Sequence, residues 1–215
     1  MMSMTRAEVV RPYGGVSAED RRAERRTRLL AAGRKAWAES GPAGVKVRGI
    51  CALSGLTDRY FYEQFANRDA LLLAVADDVR DQLLAVMVEA GLTTPGGATE
   101  KLQAALQAFL DTAAEDPQIM RIVTSDTNAV AGLTERRHDV LTMIADLVVQ
   151  HAPDILGGEH DPDQLRRAAM FITGGVNQLI EGWLDGTVTM TTTELAAECT
   201  RMCLSVLQGG SGPRR

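Results

Sequence analysis

The apolar residues of the chain recur at intervals of three and four, and no window shows the sustained alternation of a half-buried strand. This spacing is typical of amphipathic helices that turn one apolar stripe toward a core. We therefore predict an all-α protein with about nine helices, over residues 17–41, 47–54, 58–64, 67–91, 99–115, 117–130, 133–152, 161–185 and 191–207.

Residue types that start and stop helices stand at the ends of these segments. Ser17 with Asp20, and Thr191 with Glu194, have the three-residue spacing of a capping box. Gly41-Pro42 predicts the end of the first helix, because proline cannot continue it. Further start signals are Asn67, Pro117 and Asp161-Pro162.

The pattern also divides the chain into parts. Residues 1–18 have no helical periodicity and are predicted to be a flexible arm, and residues 209–215 a disordered tail. Residues 19–66 hold three predicted helices and form a small N-terminal domain. Residues 67–208 hold the others and form a larger C-terminal helical bundle, interrupted by a loop at 93–97.

The second and third predicted helices are short and lie close together. Gly55 stands between them, where a residue without Cβ takes a positive φ cheaply, and Thr57 is expected to cap the third helix. Their apolar positions, which share one inner face, are Val47, Ile50, Cys51, Phe61 and Phe65. Two short helices joined by such a turn predict a helix-turn-helix, whose second helix enters the major groove of DNA.

Charge is distributed unevenly along the 215 residues. The net charge is −5, yet residues 1–70 hold 13 Lys and Arg against 8 Asp and Glu, a balance of +5. Residues 71–215 hold 10 Lys and Arg against 20 Asp and Glu, a balance of −10. A basic end on an acidic body favours a polyanionic partner at that end.

The composition also indicates which classes of protein the chain is not expected to belong to. No apolar run approaches the roughly 18 residues of a membrane span, and no signal peptide is evident, so we expect a cytoplasmic protein without membrane contact. Three cysteines argue against a disulfide framework, and Cys51, Cys199 and Cys203 are interpreted as small buried side chains. His138, His151 and His160 lack metal-ligand spacing, and no phosphate-binding loop occurs, so neither an enzyme, a metal nor a cofactor is expected.

At the predicted helix-turn-helix the sequence resembles the tetracycline-repressor (TetR) family. The resemblance covers residues 20–76 and comprises Leu29-Leu30-Ala31-Ala32, Trp37, Gly41, Val47, Ile50, the run from Gly55 to Phe65, and Asn67 to Leu72. It implies a three-helix DNA-binding domain, a fourth helix that leads to a ligand-binding domain, and a homodimer. The implied DNA is a double-stranded, palindromic operator.

The resemblance assigns roles to individual positions. Thr57, Tyr62 and Arg68 match positions that contact phosphates. The side chains implied on the exposed face of the recognition helix are Asp58, Arg59, Tyr60, Glu63 and Gln64. Lys46 stands where a threonine usually caps the second helix. Among these we expect Arg59 to make a bidentate contact to guanine.

Other interpretations of these residues stay open. Tyr60 and Tyr62 also fit core aromatics, and Arg59 also fits an ordinary solvated or ion-paired arginine. Asp58 and Glu63 would repel phosphates unless they pair with Arg59 or accept from cytosine. The basic cluster at residues 21–28 is either a solvated face or a contact to the flanking DNA backbone.

An effector pocket is expected among helices four to eight. Methionine and aromatic side chains suit an apolar cavity of variable contents, with two asparagines as polar anchors. The candidate ligand-binding residues are Met87, Phe109, Met120, Asn128, Met143, Met170, Phe171 and Asn177. The effector is expected to be an apolar or amphipathic small molecule, and the sequence does not identify it.

The last two helices carry the predicted dimer face. Its candidates, some of which must instead pack within the subunit, are Ile172, Val176, Leu179, Ile180, Trp183, Leu195, Cys199, Met202 and Val206. The leading prediction is a dimeric repressor that a small molecule releases from its operator. An activator, and a helical protein-interaction or carrier module with a vestigial helix-turn-helix, remain alternatives.

Overall fold

The computed structural model describes residues 17–156 and 161–209. Within these ranges the chain forms nine α-helices: α1 Ala18–Gly44, α2 Val47–Ser54, α3 Asp58–Tyr62, α4 Arg68–Thr93, α5 Ala98–Glu115, α6 Pro117–Val123, α7 Leu133–Leu156, α8 Pro162–Leu184 and α9 Thr192–Gly209. The all-α prediction is confirmed. The predicted arm, apart from its last residues 17 and 18, and the predicted tail beyond residue 209 lie outside the described residues.

The predicted caps at Ser17 and Asn67 form as expected because each depends on residues only three apart. Ser17 Oγ accepts from the Asp20 amide at 2.9 Å, and the Ser17 amide donates to the Asp20 carboxylate at 3.1 Å. Asn67 Oδ1 accepts from the Ala70 amide at 2.8 Å. Gly41 has φ 67° and ψ 166°, which breaks α1 at the predicted place, and residues 42–44 add one further turn.

Two predicted helices are too long. The sixth was expected over 117–130, but α6 ends at Val123 and only a 3₁₀ turn, Thr127–Ala129, follows. The cause is local: Ser125 Oγ donates to the Arg121 carbonyl, and the Asp126 side chain accepts from the Asn128 amide, so side chains replace the helix ladder. The third helix was expected over 58–64, and α3 ends at Tyr62 because the Gln64 and Phe65 amides both turn to the Phe61 carbonyl. In the other direction, α7 runs past the expected residue 152 to Leu156.

One apolar core joins the first four helices. Its fully buried members include Leu29 and Trp37 of α1, Ile50 of α2 and Phe61 of α3. The first turns of α4 add Leu71, Leu72 and Val75, and α6 adds Ile119 and Ile122. α4 and α6 thus complete the core of the first three helices.

Two further clusters lie between α5, α8 and α9. They bury Leu106, Leu110, Leu195 and Cys199 in one cluster and Leu165, Ile172, Cys203 and Leu207 in the other. Val176, Leu179, Ile180, Trp183 and Val206 pack against them. Of the nine candidates for the dimer face, only Met202 is among the large exposed apolar residues of the described chain. The other eight pack within the subunit.

The turn between α2 and α3 depends on Gly55. Its φ is 65°, and a Cβ there would lie 3.1 Å from Arg28 Nη2, which donates to the neighbouring Ser54 carbonyl at 2.5 Å. We expect Gly55→Ala to lower the free energy of unfolding by about 1–2 kcal/mol, because L-residues resist this conformation. Urea unfolding measures the change.

Gly49 of α2 is the matched control. A Cβ at Gly49 meets nothing within 4 Å, and the residue is helical. Gly49→Ala is therefore expected to leave stability unchanged or raise it by up to about 1 kcal/mol. Equal effects of the two substitutions would contradict the role given to the Gly55 turn.

Candidate nucleic-acid interface

The α2–turn–α3 unit presents a compact exposed surface. Gly55 adopts the left-handed conformation, Thr57 is extended, and α3 begins at Asp58. Thr57 occupies the capping position, but its side chain makes no capping hydrogen bond. The exposed hydroxyl of Thr57 is thus left facing solvent at the start of α3.

The aromatic residues of α3 separate into inner and outer sets. Phe61 and Phe65 are buried in the first core, as expected from their spacing. Tyr62 is 59 % exposed, with its ring edge-on to Phe61 at 5.2 Å between centroids. Tyr60 is 37 % exposed, so neither tyrosine is a fully buried core residue.

Both acids of the recognition segment have partners inside the protein. Glu63 Oε1 lies 3.1 Å from Arg59 Nε, one turn away, while the Arg59 side chain stays 85 % exposed. Burial, and next to it a hydrogen bond to Asp58, raises the pKa of the Cys51 thiol to about 11. Asp58 itself stays exposed. Glu63 is paired with Arg59, which is one of the two ways in which an acid on this helix was expected to avoid repelling phosphates.

Three arginines of α1 hold the helix-turn-helix. The Arg25 guanidinium lies over the Tyr60 ring and the Arg26 guanidinium over the Phe65 ring, each 4.7 Å from the centroid. Arg28 donates to the Ser54 carbonyl at the end of α2. The basic cluster is consequently more than a solvated face, because its side chains brace α2 and α3.

The other DNA-binding candidates are placed as follows. Lys46 is exposed at the start of α2 and makes no side-chain cap. Arg68 is partly buried, and its guanidinium donates to Asp69 at 2.8 Å and to the Ala129 carbonyl at 3.4 Å. Gln64 was expected on the exposed face, but it lies beyond the end of α3, and its amide nitrogen is buried without a hydrogen-bond partner among the described residues.

Polar contacts link this unit to the rest of the chain. Arg34 of α1 pairs with Asp116, the capping residue of α6, at 2.6 Å. Trp37 Nε1 donates to Ser125 Oγ at 2.7 Å. On the other side, Asp77 of α4 accepts from Arg136 of α7 at 2.9 Å. α1 and α4 are thus both tied to the segment from α6 to α7.

The expected ligand-binding residues do not converge on one enclosed space. Met170 and Phe171 of α8 are 64 % and 70 % exposed, and Met143 of α7 is also exposed. Their side chains face outward, so they do not line the interior of the subunit. Met143 instead lies in a shallow open groove along α7, together with Asp139, Thr142, Asp146, Leu147 and Gln150.

The remaining ligand candidates lie deeper. Phe109 packs against both the first core and the α5–α8–α9 cluster, and Met87 and Met120 are half-buried. Asn177 already bonds Glu181 at 3.1 Å and faces Arg137, which also pairs with Glu181. Asn128 is exposed and bonds Asp126. Asn177 is therefore a member of a charged cluster between α7 and α8, which sequence spacing does not reveal.

No group of three or more His, Cys, Asp or Glu side chains among the described residues is arranged to hold a metal ion. None of the described helices combines the length and apolar character needed to cross a membrane.

An all-helical chain with a braced helix-turn-helix and exposed aromatic and cationic side chains is typical of a DNA-binding regulator. Residues 29–75 match the model of the bacterial regulatory proteins, tetR family. Over these residues the chain is similar to the TetR family, which confirms the sequence resemblance there. No curated protein matches the chain in sequence.

Solved structures share the whole fold. A TetR-like transcriptional regulator from Rhodococcus sp. RHA1 covers 87 % of this chain and 97 % of its own, with 16 % identity and a TM-score of 0.62. The fatty acid degradation regulator FadR from Bacillus halodurans covers 87 % and 99 %, with 18 % identity and a TM-score of 0.65. FadR from Bacillus subtilis, in complex with stearoyl-CoA, covers 84 % and 98 %, with 16 % identity and a TM-score of 0.65. At these identities the likeness concerns the fold.

The Cys51 thiol gives a pH-dependent prediction. Its pKa is about 11 in the folded protein against 9.0 for the free thiol, so the folded state holds the proton more tightly. The resulting stabilisation is complete below pH 9 and is lost as the pH rises toward 11. We expect the stability difference between the wild type and Cys51→Ala to shrink over that range by about 1–3 kcal/mol.

Denaturant unfolding at intervals between pH 8 and 11 measures this difference. Tyrosines and lysines that titrate in both proteins cancel in the comparison. A difference that stays constant with pH would mean that Cys51 is not held protonated by burial and by Asp58.

Proposed function

We propose that the protein is a homodimeric transcriptional repressor that binds a palindromic operator through α3 and leaves it when an apolar or amphipathic effector binds. The observation that carries the proposal is the helix-turn-helix itself, with Arg59, Tyr60 and Tyr62 exposed on α3 and Glu63 paired with Arg59. Side chains of this kind read base edges and fix the register on phosphates.

Charge supports the same orientation toward DNA. Lys46, which precedes α2, and Arg48 of α2 are exposed, and the first 70 residues carry the excess of basic side chains. The acidic remainder of the chain is repelled by phosphate, so the basic end is the one that approaches the duplex.

The alternative of an interaction module with a vestigial helix-turn-helix loses part of its support. That alternative rested on Asp58 and Glu63 as unpaired acids facing DNA. Glu63 pairs with Arg59. The Asp58 carboxylate stays exposed, so this acid alone still favours the alternative.

The exposed side of α8 supports a second copy of the chain as partner. Phe171 and Met170 are solvent-exposed there, and Met202 of α9 is exposed as well. A Cβ at Gly174 or Gly175 would meet no atom within 4 Å, so packing within the subunit does not require glycine at either position. Glycine in a helix costs about 1 kcal/mol relative to alanine, and the close approach of a partner helix offsets that cost.

The effector is proposed to act through the contacts between α1, α4 and the α6–α7 segment. Arg34–Asp116 and Asp77–Arg136 connect these elements, so a shift of α6 or α7 reaches the DNA-binding unit. The B. subtilis FadR structure holds stearoyl-CoA, an amphipathic molecule, and this supports an effector of that chemical class. Such a shift changes the distance between two recognition helices, which must match half-sites roughly 34 Å apart.

The DNA contact is tested on an operator selected from a random pool with the wild-type protein. Arg59→Ala is expected to lose about 1–3 kcal/mol of discrimination at one base-pair position in each half-site. Fluorescence anisotropy at two salt concentrations measures the affinity for the operator and for its single-base variants.

Arg166→Ala is the matched control for this experiment. Arg166 is an exposed arginine of α8 that pairs with Asp146 of α7, far along the chain from the helix-turn-helix. It is expected to leave both affinity and discrimination unchanged. A wild-type protein that selects no sequence from the pool would overturn the proposed function.

The dimer face is tested with Phe171→Glu. A carboxylate at the centre of an apolar interface loses its hydration, so we expect the variant to be monomeric by sedimentation velocity while its helix content stays normal. Leu92→Glu is the control, because Leu92 of α4 is 77 % exposed and lies outside the proposed face. Sedimentation of Phe171→Glu as a dimer would exclude this face.

A further inference from the structure

We propose that Arg25 of α1 is a specificity-determining residue that acts by positioning the Tyr60 ring for contact with a base. This inference rests on the proposed function and concerns the same DNA-binding surface. The juxtaposition that carries it is the Arg25 guanidinium over the exposed Tyr60 ring, 4.7 Å from its centroid.

Tyr60 needs such a support because little else fixes its ring. Its ring has 37 % exposure, so core packing does not hold it as it holds Phe61. α3 spans only five residues, and Tyr60 lies at its centre. A side chain that reads a base must be held in one orientation, since ordering it on binding weakens both affinity and discrimination.

The stack also explains the placement of Arg25. Its Nε is buried and has no hydrogen-bond partner among the described residues. A buried donor without a partner is rare and costly, so hydrogen bonding within the subunit does not account for this conformation. The contact with Tyr60 does, because a guanidinium is attracted to the face of an aromatic ring.

Tyr60 is one of two neighbouring large side chains on α3, Arg59 and Tyr60, and each has its own support. Glu63 pairs with Arg59 from the next turn, and Arg25 stacks on Tyr60 from α1. The two contacts together hold the outer face of α3 before DNA arrives.

The test uses the full chain and the operator selected with the wild-type protein. The base pairs whose discrimination is lost in Tyr60→Leu define what Tyr60 reads. Arg25→Lys keeps the charge but not the planar guanidinium, and is expected to lose about 2- to 30-fold of discrimination at the same base pairs. Its salt dependence of binding stays that of the wild type, because the number of cations is unchanged.

A double-variant comparison makes the test specific. If Arg25 acts through Tyr60, then Arg25→Lys adds no further loss of discrimination to Tyr60→Leu. Tyr60→Phe keeps the ring, so substitution of Arg25 in that background still reduces discrimination. Additive losses in the Arg25→Lys, Tyr60→Leu double variant would overturn the inference.

Arg26 provides a matched control with the same geometry. Its guanidinium lies 4.7 Å from the Phe65 ring, but Phe65 is buried. Arg26→Lys is expected to change the free energy of unfolding without altering discrimination at any base pair. The same pattern for Arg25→Lys, or a loss spread evenly over all base pairs, would mean that Arg25 does not position Tyr60.

The two proposals fail in distinguishable ways. Absence of sequence-specific binding by the wild-type protein overturns the proposed function and this inference with it. Specific binding by the wild type, with unchanged discrimination in Arg25→Lys, overturns this inference alone.

Discussion

The proposed recognition helix α3 has five residues, far fewer than a helix needs to be stable by itself in water. Its existence and direction are therefore set by contacts from outside. Phe61 and Phe65 anchor one side in the first core, and Arg25 of α1 covers the Tyr60 ring. The left-handed Gly55 sets the angle at which α3 leaves α2. The proposed DNA-binding surface is consequently only as well defined as this set of contacts.

Charge in the N-terminal region serves two purposes. Arg28 supports the end of α2, while Arg25 and Arg26 cover aromatic rings. A guanidinium that contacts a ring or a carbonyl has no opposite charge beside it, whereas a carboxylate partner would neutralise it. The surface therefore keeps its positive potential although these arginines brace α2 and α3. It would not do so if carboxylates of α2 and α3 were their partners.

Sequence reasoning succeeded where structure depends on neighbours along the chain. The caps at Ser17, Asn67 and Thr191 and the turn at Gly55 follow from residues within one helical turn. Its local failures are the ends of α3 and α6 and the missing capping bond of Thr57. Its other failures lie where distant residues decide. The direction of Phe171, outward from α8, and the burial of the Gln64 amide depend on which helices happen to pack nearby. An apolar stripe predicts burial but not the partner, and this is why core and dimer candidates were not separable.

The apolar clusters indicate where, under the proposed function, a bound effector is able to shift several helices together. The first core unites α1 to α4 with α6, whereas α5, α8 and α9 share a second cluster. Phe109 of α5 packs against both. The polar ties Arg34–Asp116 and Asp77–Arg136 are partly exposed, and such pairs contribute little individually. A shift of α6 or α7 is therefore transmitted best when the apolar contacts of Phe109 move together with these two ion pairs, because Phe109 acts on both clusters at once.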